Sequence, residues 1–518
     1  MSPIQVVALL LLLVQASNAL RVLGLFPYNG RSHMVVLEAM MEALVERGHE
    51  VVVLSTFPHK EKKQNYTDLD ISEGSTKSLV NKLSYEQMTF HRLYTATLLK
   101  DFAGAEMCRR LFATQHFRDV MSGKYGKFDV VFTELFGTDC CTAVAYKLQV
   151  PFISMLVAPD YAWMHDRVGS VDNPSYIVAN FEPYAGAMDL WHRIQNTFMS
   201  IAHKLLFKIE CEYPSDIVVK EFFGPDIPPL SEIIKRTSLV MVNTHVSVNP
   251  ARPVNPNVLH IGGLHLKNRN PARTNSNLDA DLRAWLDSAQ NGVIFFTLGS
   301  MVRTSTLPEA SIKSLLGAFS ALGPKYKVLW KYEKDDLDLP PNVRTAPWLS
   351  GVDVLAHPNV ILFMTHGGLM SSTEAIFYGV PMLGIPLFSD QQSNIALYEY
   401  LGVAEGLHHT ELADEDKLRN KILKMVETDQ YRNRARKIAD RYWDRPRSPR
   451  EEAVWWTEYV VRHQGALHLR PLGADLPLYQ YLLLDVLAVV LLAILMLFAV
   501  VRIMLKTVCY KSTKEKKN

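Results

Sequence analysis

Several kinds of chemistry are excluded first by what this 518-residue sequence lacks. Five cysteines are too few for a disulfide-dense scaffold. Neither sign of charge dominates, since 55 Lys and Arg stand against 53 Asp and Glu. A nucleic-acid binder would show a basic surplus, so that class is disfavoured. No G-x-G-x-x-G follows the first strand pattern, which removes support for a dinucleotide site. There is no Walker A sequence, no G-x-S-x-G nucleophile elbow and no H-E-x-x-H zinc motif. Internal repeats and low-complexity segments are absent as well. What remains is a chain that is 48% hydrophobic and 21% charged, able to bury large cores. Its mean hydropathy of +0.01 is high for a soluble enzyme, and the excess lies at the two ends.

Near the N-terminus, Val6–Val14 is an apolar run too short to span a bilayer, followed by small residues at Ser17 and Ala19. This pattern predicts a cleaved signal peptide over residues 1–19, although the usual basic n-region is missing and a buried first strand is the alternative. At the other end, Val486–Val501 is uninterruptedly apolar and, with its flanks, predicts a membrane span over 481–503. Tyr479 and Tyr481 suit the headgroup level. The tail 504–518 is rich in lysine, so the positive-inside rule expects it in the cytosol and the rest of the chain in the lumen, as a single-pass type I protein. Lys514 and Lys516, fifth and third from the end, resemble a dilysine signal for return to the endoplasmic reticulum; a merely basic tail is the alternative. Asn65-Tyr-Thr is the one usable glycosylation sequon, because Asn173-Pro-Ser carries the forbidden proline. Cys108, Cys140, Cys141 and Cys211 would face an oxidising lumen, with no pairing assignable. Cys509 would be palmitoylated or, more simply, idle.

Between the ends, the apolar run at 21–27, a helical pattern over 33–46 and Val51–Leu54 form one β-α-β unit and predict a parallel sheet. Further buried strands are expected at 128–133 and 151–156. Residues 78–121 and 175–222 are helical and rich in Met and aromatics, as a core or as an apolar pocket. Repeated Asn-Pro and Arg-Pro pairs from 243 to 278 read as a linker. A second α/β series follows, with strands at 292–298, 328–330, 360–365 and 380–385. The expected organisation is an N-terminal domain over 20–250, a linker over 251–285 and a C-terminal domain with a return segment over 286–478. Four Asp-x-Asp pairs (Asp68/Asp70, Asp279/Asp281, Asp336/Asp338, Asp414/Asp416) lie in charged stretches and read as solvated surface.

The informative motif is Thr365-His-Gly-Gly368, after a buried strand and before a helix with Ser371 and Glu374. A strand end meeting a helix N-terminus is where α/β folds bind phosphate. Two glycines let the backbone approach closely, though a tight turn alone would look the same. The motif sits within Trp348–Asn394, WLSGVDVLAHPNVILFMTHGGLMSSTEAIFYGVPMLGIPLFSDQQSN. This stretch closely resembles the signature of the animal UDP-glycosyltransferases, with the insect branch nearest. Weaker resemblance runs from residue 21 to 470.

The resemblance implies two Rossmann-like domains in the GT-B arrangement, the first binding a small lipophilic acceptor and the second a UDP-sugar, with glucose favoured by the insect-type resemblance. No metal and no cofactor beyond the UDP-sugar co-substrate are implied. Trp348 would stack on uracil. His366, Gly367, Gly368 and Ser371 would hold the diphosphate, with Ser300 closing over it. Glu374 would accept from the ribose, and Asp390 and Gln391 would take the sugar hydroxyls. His33 would be the general base of an inverting displacement, and a helix N-terminus suits a neutral imidazole. Its orienting acid would be Glu134 or Asp139, the latter slightly favoured because the family carries Asp. One departure stands out: Ser350-Gly351 replaces the family's Pro-Gln, whose amide reads the uracil edge. A binding protein that keeps the fold but has lost effective donor binding is therefore the rival reading.

Overall fold

The computed structural model describes residues 19–73, 79–88, 94–267 and 278–515. Nearly all of the expected signal peptide and the lysines after 515 lie outside these residues, as does 268–277 of the expected linker.

The first β-α-β unit forms where the hydrophobic pattern expects it. β1 (Arg21–Phe26) leads into helix α1 (Arg31–Glu46), which returns to β2 (Glu50–Ser55). β1 and β2 are parallel, with Val22 opposite Val51. Both strands are apolar almost throughout because helices cover both faces of the sheet. β3 (Tyr66–Asp70), β4 (Val130–Glu134), β5 (Phe152–Leu156), β6 (Leu239–Val242) and β7 (Val258–His260) complete a seven-stranded sheet in the order β3-β2-β1-β4-β5-β6-β7. Helix α2 (Ala162–Val168) follows β5. Helices α3 (Leu190–Phe207) and α4 (Tyr213–Phe223) precede β6.

The second sheet contains β8 (Val293–Thr297), β9 (Lys327–Lys331), β10 (Val343–Ala346), β11 (Val360–Thr365), β12 (Met382–Gly384) and β13 (Ala404–Gly406), in the order β10-β9-β8-β11-β12-β13. Helix α5 (Ala280–Asp287) precedes it. Helices α6 (Gly351–Leu355), α7 (Leu369–Tyr378) and α8 (Gln391–Tyr400) lie among its strands. In each sheet the first strand of the series sits between the second and a later one. That reversal opens a crevice at the strands' C-terminal ends, where such folds bind ligands. The two crevices face each other, giving the GT-B-like arrangement.

Three elements differ from the sequence expectation. β3 lies in a charged stretch and has no apolar run. It forms because β2 offers a free edge, with Val51 opposite Tyr66. Within it, the half-buried Asp68 accepts the His59 N–H at 2.6 Å, so this aspartate is not simply solvated. The expected linker 251–285 is partly built into the domains: β7 pairs with β6, and Leu282 and Leu286 of α5 join the core of the second sheet. Pro253 and Pro256 precede β7 without entering it.

Helix α9 (Pro449–Arg462) returns to the first domain, where Ala453, Val454 and Val460 pack with β1 and α1 residues. Helix α10 (Leu484–Glu515) follows, and its stretch Leu484–Thr507 is long and apolar enough to cross a membrane. Cys108 and Cys140 are disulfide-bonded, while Cys141 and Cys211 are buried free thiols. Asn65 is exposed just before β3.

Candidate functional site

Between the two crevices lies a cleft of about 480 Å³, lined from both domains. On the first domain's side, α1 starts directly after the β1 crevice and places His33 in its first turn. β4 ends at Glu134. Because β4 pairs beside β1, the His33 ring and the Glu134 carboxylate meet, and His33 Nδ1 is hydrogen-bonded to Glu134 Oε1. Tyr28 and Phe136 hold the imidazole on its other sides, with ring centroids 4.8 and 4.6 Å away. With Nδ1 engaged, Nε2 is the ring nitrogen left for a substrate. The preference for Asp139 does not survive this geometry. Asp139 is buried and forms a two-pronged ion pair with Arg167 of α2. Glu134, at the strand end, is the acid that meets the His33 ring.

On the second domain's side, β11 runs into His366-Gly367-Gly368, and Gly368 is the N-terminal flank of α7. No side chain caps this helix, so its first amides remain free to bind an anion. The Gly367 N–H is not among them, since it donates to Thr365 Oγ1 at 3.2 Å. Ser371 Oγ donates back to Gly368 O at 3.1 Å. The glycines have a packing reason. A Cβ on Gly299 or on Gly368 would fall 2.6 Å from the His366 ring, so the imidazole is clasped between two loops that only glycine can form. Burial, with help from the Lys331 ammonium, pulls the His366 pKa down to about 4, leaving a neutral ring.

Trp348 is half exposed and lines the cleft. Ser350 caps α6 by accepting the Asp353 N–H at 3.4 Å. A Cβ on Gly351 would lie 2.8 Å from Glu374 Oε2, so the Glu374 carboxylate fills the room beside that glycine. Glu374 also sits 3.6 Å from His265 Nε2. Asp390 precedes α8, and its Oδ2 accepts from Asn394 at 2.8 Å. Burial raises the Asp390 pKa, opposed chiefly by the hydrogen bond from Asn394. Gln391 differs from a free hydroxyl ligand. Its Oε1 accepts the Leu387 and Phe388 N–H groups at 2.8 and 3.1 Å, so the carbonyl shapes the loop and only the amide NH₂ remains available.

Sequence reasoning missed Lys331, at the end of β9. Its ammonium lies 5.7 Å from the Trp348 ring and contacts Gly299 O at 3.0 Å and Asn81 Oδ1 at 2.7 Å. Burial lowers its pKa, countered by Glu333 at 3.1 Å. A lone basic residue ending a strand carries no motif, so only the fold reveals it. The Asn81 contact also marks a bridge between the domains: Asn81 N donates to Ser300 O at 2.8 Å, and Arg303 N to Leu83 O at 3.0 Å. Ser300 therefore lies in a loop of the second domain braced by the first domain.

With this geometry in view, the comparisons are consistent. The family described as UDP-glucoronosyl and UDP-glucosyl transferase matches residues 22–518. UDP-glucosyltransferase 2 of Dactylopius coccus is 36% identical over 99% of both chains. UDP-glucuronosyltransferase 2B15 of Rattus norvegicus is 32% identical over 88% of this chain and 87% of its own. Among solved structures, Phytolacca americana UGT2, complexed with UDP-2fluoro-glucose and pterostilbene, shares the fold with a TM-score of 0.55 at 15% identity, covering 85% of this chain and 99% of that one. A UDP-sugar is the co-substrate such a cleft serves, a small lipophilic molecule its acceptor, and the chain is a UDP-glycosyltransferase with a single apolar C-terminal helix, related to those of insects.

Proposed function

We propose that the enzyme transfers glucose from UDP-glucose to a hydroxyl of a small lipophilic acceptor with inversion, and that His33 is the general base. The observation that carries this reading is the His33–Glu134 pair facing the uncapped N-terminus of α7 across one cleft. The acceptor oxygen attacks the anomeric carbon from the side opposite UDP. As the C–O bond forms, its proton passes to His33 Nε2, and Glu134 stabilises the resulting imidazolium, following the logic of a catalytic triad. The bond from the anomeric carbon to UDP breaks, and the α7 amides and Lys331 take up the charge on the departing diphosphate. Trp348 offers a face to uracil, Glu374 an acceptor to the ribose, and Asp390 with the Gln391 amide NH₂ meets the sugar.

Glucose is favoured over glucuronate on two grounds. The Dactylopius relative bears a glucosyltransferase name. Among the described residues, the basic cations lining the cleft, Arg31 and Lys331, already pair with Glu38 and Glu333, at 3.4 and 3.1 Å, and Lys331 also serves the diphosphate.

The decisive experiment is His33→Ala. Transfer to alcohols should collapse while UDP binding, measured by calorimetry, stays close to wild type. Loss of UDP affinity would remove His33 from the acceptor side. Gly351 supports a second reading, that donor binding has lapsed; absence of UDP binding by the wild type at millimolar concentration would establish it. We further place the catalytic part in the lumen of the endoplasmic reticulum, with α10 spanning and the tail cytosolic. The exposed Asn65 sequon and the Cys108–Cys140 bond support that orientation. A mass shift on deglycosylation that disappears in Asn65→Gln tests it.

A further inference from the structure

The helices between β5 and β6 are inside out with respect to water. From Leu190 to Phe223 the chain is continuously helical, α3 passing through a π-helical turn at Lys208–Glu212 into α4. Much of its inner side is polar. Asn196 and Ser215 are fully enclosed, with Ser200 and His203 also buried. Asn196 is satisfied there by the Pro174 and Ile177 carbonyls and the Ala179 N–H, each at 2.7 Å. The outer side is apolar. Trp191, Ile194, Phe198, Ile201, Leu205 and Ile209 recur at steps of three and four and are 52% to 70% exposed. Tyr213 and Ile217 extend the stripe along α4. Between Leu190 and Ile217, Lys208 is the only exposed polar residue. A helix facing water carries its polar side outward, and an apolar stripe of this length marks a docking surface.

The neighbouring membrane helix identifies its occupant. α10 fixes a bilayer beside this domain. The segment leading to it packs against the end of α2: a Cβ on Gly169 would meet Ala474 and Pro471 at 2.6 and 2.8 Å. α2 is tied in turn to α3, where Lys204 reaches Asp166 and Asp172 at 2.8 and 2.9 Å. The stripe is thus one helix away from the chain's path to the membrane. That path is itself apolar and exposed at Leu472, Leu476 and Leu478. Trp191 and Tyr213, towards either end of the stripe, are side chains that favour the headgroup level.

We propose that the α3–α4 stripe lies in the headgroup–acyl boundary of the bilayer that α10 spans, as an in-plane second membrane contact. The arrangement bears on the acceptor. On the inner side of α3, Phe207 stacks on Trp163 with centroids 4.6 Å apart, and Trp163 on Tyr161 at 4.4 Å. Tyr161 lines the cleft. One aromatic stack therefore separates the bilayer-facing helix from the acceptor wall, so a lipophilic acceptor dissolved in the membrane is held near its site.

The test uses the full chain in a Cys509→Ser background, with a single environment-sensitive label at Phe198→Cys, at Leu205→Cys or at Glu427→Cys on an exposed position of the second domain. Each variant is reconstituted in phosphatidylcholine bilayers after its cooperative thermal unfolding is shown to match the parent. Brominated acyl chains should quench the label at positions 198 and 205, and aqueous iodide should not. Position 427 should show the reverse. Iodide quenching at 198 and 205 in bilayers would overturn the proposal. So would protection from both quenchers, which would mean that a second copy or another protein covers the stripe.

Discussion

On the second domain's side of the cleft, the proposed donor side, His366, Gly367, Gly368 and Ser371 come from one turn between β11 and α7. On the first domain's side, the proposed acceptor side, His33 and Glu134 are 101 residues apart and meet only because β1 and β4 are neighbours in the sheet. The donor side holds its ligand groups through backbone amides and a histidine clasped by glycines. The acceptor side holds its reactive group through a carboxylate and two aromatic rings. A local device tolerates little change in backbone geometry, whereas a long-range pair tolerates change except at the pair itself. The contrast predicts what each side loses on substitution.

The largest effect should come from His33→Ala, with transfer to alcohols falling by about 10² to 10⁴-fold, the usual share of general-base catalysis. Steady-state rates with saturating UDP-sugar measure it. Thiol acceptors, already partly ionised, should lose less. Glu134→Gln should slow turnover in the same direction without changing UDP affinity. If its kcat stays within about tenfold of wild type, well below that range, the carboxylate does not serve the base.

Next in size is Asp139→Asn. Both partners of its ion pair are buried, so an uncompensated Arg167 should cost about 3–5 kcal/mol of stability. Thermal unfolding should show the loss, while the fraction that remains folded turns over normally. A slow but fully stable variant would return Asp139 to the catalytic group.

Gly368→Ala should break the donor side at its tightest contact. The new methyl group would lie 2.6 Å from the imidazole, whose same edge also lies close to Gly299. Overpacking of this kind costs about 1–3 kcal/mol, read as weakened UDP binding with little effect on acceptor KM. Unchanged UDP affinity in Gly368→Ala would mean that His366 is not clasped in the working enzyme.

The smallest expected effect is at Gly351. A glutamine there would regain hydrogen bonds worth about 0.5–1.5 kcal/mol each, lowering the donor KM a few-fold. Glu374 must first move aside, since its carboxylate lies 2.8 Å from where the new Cβ would be built. A raised donor KM in Gly351→Gln, with normal folding, would show that Glu374 cannot yield.

The donor side was legible in the sequence because its chemistry is contiguous. A buried strand, two glycines and a helix start can be read from consecutive letters, and the stretch Trp348–Asn394 carries the family resemblance. Gln391 was legible as a residue but not in its bonding. Its carbonyl faces the Leu387 and Phe388 amides, a consequence of how β12 turns into α8. Lys331 was invisible because its neighbours Asn81 and Gly299 come from distant segments. β3 went unseen because an edge strand in a charged stretch forms through the ladder its neighbour offers.

The order of buried strands and helices, the two α/β halves, the apolar terminal helix and the glycine-rich anion turn were all set by local pattern, since hydrophobic period and turn chemistry act over a few residues. Which acid meets His33 was a matter for tertiary structure. Glu134 and Asp139 are both acids, five positions apart, and the end of β4 brings Glu134 to the His33 ring while the α2 guanidinium claims Asp139. The same holds for the outward face of α3. Its Met- and aromatic-rich content read in the sequence as a core or a pocket, but which side faces inward depended on the polar partners waiting inside for Asn196 and Ser215, because a buried polar group must be paired and an apolar one need only be removed from water.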